Sequence, residues 1–107
     1  MKIAVIGLGF VGLSLCSVLA SRGITTIGID SDRKKCSKIA EGVPTFFEPN
    51  LESTLKKALR KKLSVTNNLS SISSCDFIFV TVGTPQKKNG EADLSFIKAV
   101  VRSVGKI

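Results

Sequence analysis

The chain has 107 residues, less than one domain of typical size, which excludes two domains with separate large cores. It contains no histidine, so a Ser-His-Asp triad, a histidine general base and histidine metal ligands are all excluded. The net charge of +8 suits an anionic partner, although clustered basic residues of this kind usually lie on solvated helix faces. No apolar run reaches the roughly 18 residues of a membrane helix, and we expect a cytoplasmic protein without a membrane partner.

The hydrophobic pattern alternates between strand and helix periods along the chain. In chain order it predicts a strand at 2–6, a helix ending before Gly23, a strand at 24–29, a helix from Asp32 to Gly42, a loop at 43–49, a helix from about Asn50, a strand at 63–66, a loop or weak helical turn at 67–74, a strand at 76–82, a polar segment at 83–93 and a helix from about Asp93. Strands that are apolar on both faces and alternate with helices indicate an α/β fold with a parallel sheet.

This order predicts a Rossmann-like doubly wound sheet of which only the first half, about four strands with flanking helices, is present. The chain ends at Ile107, where a fifth strand is due. We therefore expect residues 1–107 to be the N-terminal part of a dinucleotide-binding domain.

A Gly-x-Gly-x-x-Gly motif, formed by Gly7, Gly9 and Gly12, lies between the first strand and the first helix. Gly7 allows a tight turn, Gly9 lets the backbone approach a pyrophosphate, and Gly12 lets the helix pack closely on the sheet. The start of the helix then offers free N–H groups to the phosphates. Asp30 ends the next strand 18 residues after Gly12, close to the spacing of the dinucleotide-binding pattern.

Asp30 also predicts which dinucleotide is bound. A carboxylate at this place accepts hydrogen bonds from the ribose hydroxyls of NAD and repels the 2′-phosphate of NADP. Arg33 and Lys34 lie nearby and could attract that phosphate, but the carboxylate outweighs them, so the predicted cofactor is NAD.

The fourth strand ends in Thr81-Val82-Gly83-Thr84-Pro85. Ligands of open parallel sheets bind at the carboxyl ends of the strands, near the point where the strand order reverses. Thr84 is therefore expected to contact the cofactor.

At this point the sequence resembles the N-terminal domain of the UDP-glucose/GDP-mannose dehydrogenases, over nearly the whole chain. The resemblance rests on residues 1–15, on 27–30, on the Phe-Glu-Pro-Asn-Leu segment at 47–51, on the Val-Gly-Thr-Pro segment at 82–85 and on 90–95. It implies oxidation of the primary alcohol of a nucleotide sugar to a carboxylate with two NAD, through a covalent cysteine thiohemiacetal.

The resemblance implies NAD contacts at Val11, Asp30, Lys35 and Thr84, and we include Phe10 within the same turn. It places Glu48 in a loop that approaches the active site. The catalytic cysteine of the family belongs to a Cys-Phe-Pro-Lys segment that this chain lacks.

None of Cys16, Cys36 and Cys75 matches the family's cysteine segment, so we expect these three to be small buried residues without a disulfide or a zinc site. The chain alone is expected to have no catalytic residue and no metal. Its expected partners are the remaining domains of the full protein and, through them, the nucleotide-sugar substrate; a homo-oligomer stays open.

Two alternatives also stay open. One is a dehydrogenase of β-hydroxyacids with the same glycine motif, against which the Phe47-Glu48-Pro49 loop and the lysine-rich third helix argue. The other is a non-enzymatic NAD-sensing or nucleic-acid-binding module, suggested by the charge. Because the sequence lacks Tyr and Trp for stacking on bases, nucleic acid is not the expected partner.

Overall fold

The structure, a computed structural model, describes residues 1–81 together with Lys98 and Arg102. Its elements are β1 (Lys2–Ile6), α1 (Phe10–Ser21), β2 (Thr25–Ile29), α2 (Arg33–Ala40), α3 (Leu51–Lys61), β3 (Leu63–Thr66), a 3-10 helix (Leu69–Ser74) and β4 (Phe77–Val80). The predicted polar segment at 83–93 lies outside the described residues. So does the predicted last helix, apart from Lys98 and Arg102, which are helical.

The four strands form one parallel sheet in the order β3-β2-β1-β4. Strand β1 lies between β2 and β4, so that Ile6 is paired with Ile29 on one side and with Val80 on the other. The chain builds outward from β1 to β3 and then returns to the opposite side of β1. This reversal confirms the predicted doubly wound arrangement and brings the carboxyl ends of β1, β2 and β4 to one edge of the sheet.

Alternation along β1 divides its side chains between two cores. Ile3 and Val5 join a large cluster with α1 and α3, whose buried members include Leu13 and Leu55. On the other face lies a smaller cluster, made by Ala4, Ile6, Ile27, Ile29 and Ile72. A strand that is apolar on both faces is thus buried on both faces, as its sequence predicts.

Strand β4 is shorter than the predicted 76–82, and its four side chains are exposed even though they form a continuous apolar run. Within residues 1–81, β4 pairs only with β1 and lies at the edge of the sheet. An apolar run reports which residues favour burial; whether they are buried depends on which elements cover them.

The intervening helices begin and end much as the local signals predict. Asp32 caps α2 by accepting a hydrogen bond from the backbone N–H of Lys35 at 3.1 Å. The serine-rich stretch after β3 forms a 3-10 helix, capped by Asn68 through the N–H of Ser70. Among the described residues, no helix is long and apolar enough to cross a membrane.

Candidate functional site

The turn between β1 and α1 is built on Gly7. Its φ of +96° lies in the left-handed region, where a side chain is strained, so glycine is required for the chain to leave β1 in this direction. The N–H of Gly7 donates to the carbonyl oxygen of Ile29 at 2.7 Å, which ties the turn to the end of β2.

Gly12 is required for a different reason, which is space. A Cβ at this position would overlap the carbonyl oxygen of Gly7 and would lie 2.5 Å from Oγ1 of Thr81. Both neighbours are fixed by the sheet, so the first turn of α1 can pack on the end of β1 only without a side chain here. The predicted close packing of this helix on the sheet is present.

Gly9 stands apart from the other two glycines of the motif. Its φ is −80°, which any L-residue adopts, and a Cβ built on it would meet no atom within 4 Å. Neither the backbone conformation nor the packing of the described residues therefore requires glycine at this place. Gly9 is the N-cap of α1, makes no side-chain cap and faces open space beside the first free N–H groups of the helix.

The carboxylate of Asp30 reaches back from the end of β2 to this turn. Its Oδ2 accepts the N–H of Leu8 at 2.9 Å, and its Oδ1 accepts the N–H of Asp32 at 2.9 Å. The ammonium of Lys35 lies 3.3 Å from Oδ2. Sequence spacing predicts that Asp30 lies beside the turn, and it does.

The surroundings of Asp30 favour its ionised form. Partial burial alone raises the pKa of the carboxyl, but the N–H groups of Asp32 and Leu8 and the charge of Lys35 more than offset it, so the pKa lies below the ordinary value. The carboxylate is thus a fixed negative acceptor at neutral pH, beside the open space at Gly9.

The predicted contacts Phe10 and Val11 occupy the first turn of α1 and are 57% and 62% exposed. The ring of Phe10 packs against Phe46, with 5.0 Å between centroids. Phe46 and Glu48 line an open groove of about 520 Å³ between the 43–49 loop and α3. The loop singled out by its Glu-Pro sequence therefore adjoins the glycine turn through this aromatic pair.

Lys35 is the one basic residue of α2 that contacts Asp30 in the described structure, whereas Arg33 and Lys34 are exposed. The last predicted contact, Thr84, lies outside the described residues.

Sequence reasoning missed the role of Thr81, which directly follows β4. Its hydroxyl lies 2.7 Å from the carbonyl oxygen of Gly7 and 3.1 Å from that of Ile6. A threonine at the end of a strand is ordinary, and no local spacing connects it to a turn more than seventy residues earlier. The only signal available was that the first and fourth strands of such a sheet are neighbours.

The three cysteines form no disulfide; Cys16 and Cys36 are buried and Cys75 is half-buried. Burial raises the pKa of the Cys16 thiol to about 12 and also raises the pKa of Cys36 and Cys75. In residues 1–81, no cluster of three or more Cys, Asp or Glu side chains could hold a metal ion. The chemistry of this edge of the sheet is that of an anion-binding turn beside a carboxylate acceptor.

Comparison with known proteins gives a match over the whole chain. The UDP-glucose/GDP-mannose dehydrogenase family, NAD binding domain, matches residues 1–107. UDP-glucose 6-dehydrogenase TuaD of Bacillus subtilis is 40% identical over 106 residues, which cover 97% of this chain and 23% of TuaD.

Solved structures give the same result. A ternary complex of the GDP-mannose dehydrogenase of Pseudomonas aeruginosa superposes with a TM-score of 0.94 at 37% identity, covering 98% of this chain and 24% of that one. A UDP-glucose dehydrogenase of Pyrobaculum islandicum gives 0.93 at 33% identity, covering 97% and 24%. The chain thus spans about a quarter or less of the length of the curated relatives it matches.

Proposed function

Since the chain belongs to the UDP-glucose/GDP-mannose dehydrogenase family as its NAD binding domain, we propose that its glycine turn and Asp30 hold NAD for the oxidation of a nucleotide sugar. Residues 1–107 act as one cofactor domain. The enzyme served by this domain oxidises the C6 alcohol of the sugar to a carboxylate, as in the conversion of UDP-glucose to UDP-glucuronate. NAD, when bound, accepts hydride from the sugar.

The observation that carries this proposal is the open space at Gly9. Gly7 and Gly12 satisfy demands that the protein itself makes, but nothing in the described structure demands glycine at position 9. A position without a side chain that borders empty space, next to the free N–H groups of a helix, fits the approach of a pyrophosphate. The residues present therefore fit the cofactor.

The remaining contacts follow from the same placement. Asp30 accepts hydrogen bonds from the adenosine ribose, and the low pKa of its carboxyl keeps it an acceptor at neutral pH. Lys35, already paired with Asp30, binds next to that ribose. Phe10 and Val11 line the turn with exposed apolar side chains, and Thr84 contacts the cofactor from the segment after β4.

Two substitutions test the cofactor site. We expect Gly9→Val to weaken NAD binding by about 100-fold or more, because its side chain fills the space left for the pyrophosphate. Stability should fall by no more than about 1 kcal/mol, since only the N-cap preference of glycine is lost. Titration by calorimetry, beside urea denaturation of the same sample, separates the two effects. A folded Gly9→Val that binds NAD normally contradicts the site.

Asp30→Ala tests the ribose contact. NAD binding should weaken about 10-fold and the preference over NADP should largely disappear, because both the acceptor and the repulsive charge are removed. An unchanged NAD/NADP ratio contradicts the assignment of Asp30.

The reaction is tested by following the absorbance of the NADH formed with UDP-glucose, GDP-mannose and a β-hydroxyacid in turn. We expect a nucleotide sugar to be the substrate of the intact protein. The chain of residues 1–107 alone should give no turnover, since none of its three cysteines matches the family's catalytic cysteine segment and burial raises the pKa of each thiol. Turnover of the hydroxyacid only would replace the proposed substrate class.

A further inference from the structure

The cofactor turn has a second support besides Asp30. We infer that Thr81 is a positioning residue, whose hydroxyl fixes the orientation of the Gly7–Leu8 peptide and thereby the turn that receives the pyrophosphate. The inference rests on the proposed function, in which NAD lies at this turn. Thr81 itself touches the backbone of the turn and acts on the cofactor only through it.

One peptide unit carries the argument. The carbonyl of Gly7 and the N–H of Leu8 belong to the same plane, and each end has its own partner. The hydroxyl of Thr81 donates to the carbonyl oxygen at 2.7 Å, while Oδ2 of Asp30 accepts the N–H at 2.9 Å. A peptide plane held at both ends cannot rotate without breaking a hydrogen bond.

The hydroxyl does more than continue the sheet. The ladder between β1 and β4 is already extended by the backbone N–H of Thr81, which donates to Ile6 at 2.8 Å. The hydroxyl also lies 3.1 Å from that same Ile6 oxygen. It is closer to the carbonyl oxygen of Gly7, at 2.7 Å, and so makes the shorter hydrogen bond to Gly7. The side-chain bond therefore serves the turn, and the backbone bond serves the strand pairing.

The hydrogen bond from the Thr81 hydroxyl constrains the turn because the Gly7 carbonyl oxygen is buried beneath α1. Gly7, Leu8 and Gly12 are all buried, and the Gly7 oxygen lies against the first turn of α1, where a Cβ on Gly12 would overlap it. Loss of the hydroxyl leaves this acceptor without its side-chain donor, and the peptide gains freedom to turn. A binding loop that is ordered in advance loses less entropy when its ligand binds, so the freedom gained costs affinity.

The experiment compares Thr81→Val, which keeps the side-chain shape without the hydroxyl, with Thr81→Ser, which keeps the hydroxyl. Thr26→Val is the matched control, because the Thr26 hydroxyl also donates to a backbone carbonyl, that of Ile24 at 2.8 Å, but at the opposite end of the sheet. Dissociation constants of the intact protein are measured for ADP-ribose, which contains the pyrophosphate, and for adenosine, which contains adenine and the ribose that Asp30 binds but no phosphate.

Thr81→Val is expected to weaken ADP-ribose about 5-fold and adenosine less than about 2-fold, with Thr81→Ser and Thr26→Val close to the unaltered protein. Equal losses for both ligands, no loss at all, or a Thr81→Ser variant as weak as Thr81→Val overturns the inference. If Thr81→Val fails to fold, Thr81→Ala removes the hydroxyl together with any crowding and is held to the same criteria. Failure of the unaltered protein to bind ADP-ribose contradicts the proposed function itself, whereas normal binding that is insensitive to Thr81 contradicts only the positioning role.

Discussion

The two strands beside β1 hold the glycine turn from opposite sides and by opposite chemistry. From β2 come acceptors: the carbonyl of Ile29 takes the N–H of Gly7, and the carboxylate of Asp30 takes the N–H of Leu8. From β4 come donors, because Thr81 gives its N–H to Ile6 and its hydroxyl to Gly7. The turn is thus held through its N–H groups on one side and its carbonyl groups on the other.

The two sides differ in how they respond to conditions. The β2 side has an ion pair between Asp30 and Lys35 and depends on ionisation. The β4 side uses an uncharged hydroxyl, which does not titrate in the accessible pH range. In the proposed complex with NAD, the charged side selects the ligand because Asp30 lies beside the ribose, whereas the neutral side supplies only geometry. Substitutions can separate these two contributions.

Gly12→Ala is expected to have the largest effect on stability, because Gly12 packs directly against the Gly7 carbonyl and the Thr81 hydroxyl. The new Cβ would overlap the Gly7 carbonyl and crowd the Thr81 hydroxyl, forcing α1 away from the sheet. Helix propensity favours alanine by about 1 kcal/mol. We nevertheless expect a net loss of about 3 kcal/mol in the free energy of unfolding, together with loss of NAD binding.

Urea denaturation of Gly12→Ala and Gly9→Ala side by side measures this difference. Gly9→Ala meets no atom within 4 Å, so its stability should change by no more than about 1 kcal/mol. If the two variants lose equal stability, steric packing at Gly12 is not what the protein requires of its glycine.

Asp30→Asn is expected to have the next largest effect, since it weakens the charged side and leaves the shape intact. The amide keeps one acceptor oxygen for two N–H groups and loses the attraction of Lys35. The free energy of unfolding at pH 7 should fall by about 1–2 kcal/mol. Thr81→Val removes an uncharged hydroxyl, so its free energy of unfolding should fall by less than that of Asp30→Asn.

The pH dependence of this difference has a definite sign. Because the pKa of Asp30 is lowered by folding, its stabilising contribution is fully present above the carboxyl's unfolded pKa of about 4 and is lost as the pH falls through the lower native value. The stability gap between the unaltered protein and Asp30→Asn should therefore be constant from pH 7 to about 5 and close at lower pH. A gap that persists unchanged at about pH 2 would show that ionisation contributes nothing.

Lys35→Met is a smaller change on the same side. The ammonium offsets part of the Asp30 charge, so its removal should raise the pKa of Asp30 and strengthen repulsion of a 2′-phosphate. We expect NADP to weaken about 10-fold and NAD about 3-fold. Lys38→Met is the control, because Lys38 is exposed on the same helix and its side chain makes no hydrogen bond or ion pair among the described residues. Equal changes for both dinucleotides would remove Lys35 from any role in selection.

The sequence predicts the charged side of the turn but not the neutral side. Gly7 and Asp30 can be recognised because both belong to a motif with fixed spacing along the chain. Gly7 is needed for a left-handed φ, and Asp30 is the acidic residue at the end of the next strand. Thr81 belongs to no motif with fixed spacing, since its partner Gly7 lies 74 residues earlier. Its partner depends on which strand returns to lie beside β1, and that is a property of the topology.

The burial of the strands and the bounds of the elements are likewise predictable only where local sequence determines them. The continuous apolar run of β1 correctly predicts burial on both faces, because other elements cover both faces of the sheet at this strand. The apolar run Phe77–Val80 gives an equally strong prediction, yet those side chains are exposed in the described structure. The serine-rich segment at 67–74 predicts a loop or a weak helical turn, and the structure has a 3-10 helix at Leu69–Ser74 that is capped by Asn68.

Lys56→Gln is expected to have the smallest effect and sets the scale for the others. Lys56 pairs with Glu52 one turn earlier on α3 at 3.0 Å, which is shorter than the Lys35–Asp30 distance. Both side chains are more than half exposed, however, at 51% and 61%. Solvent and salt screen such a pair, so the free energy of unfolding should fall by only about 0.3–0.5 kcal/mol, and less in about 1 M salt. NAD affinity should not change. A loss as large as that of Asp30→Asn would mean that distance, rather than burial beside the turn, determines what an ion pair contributes here.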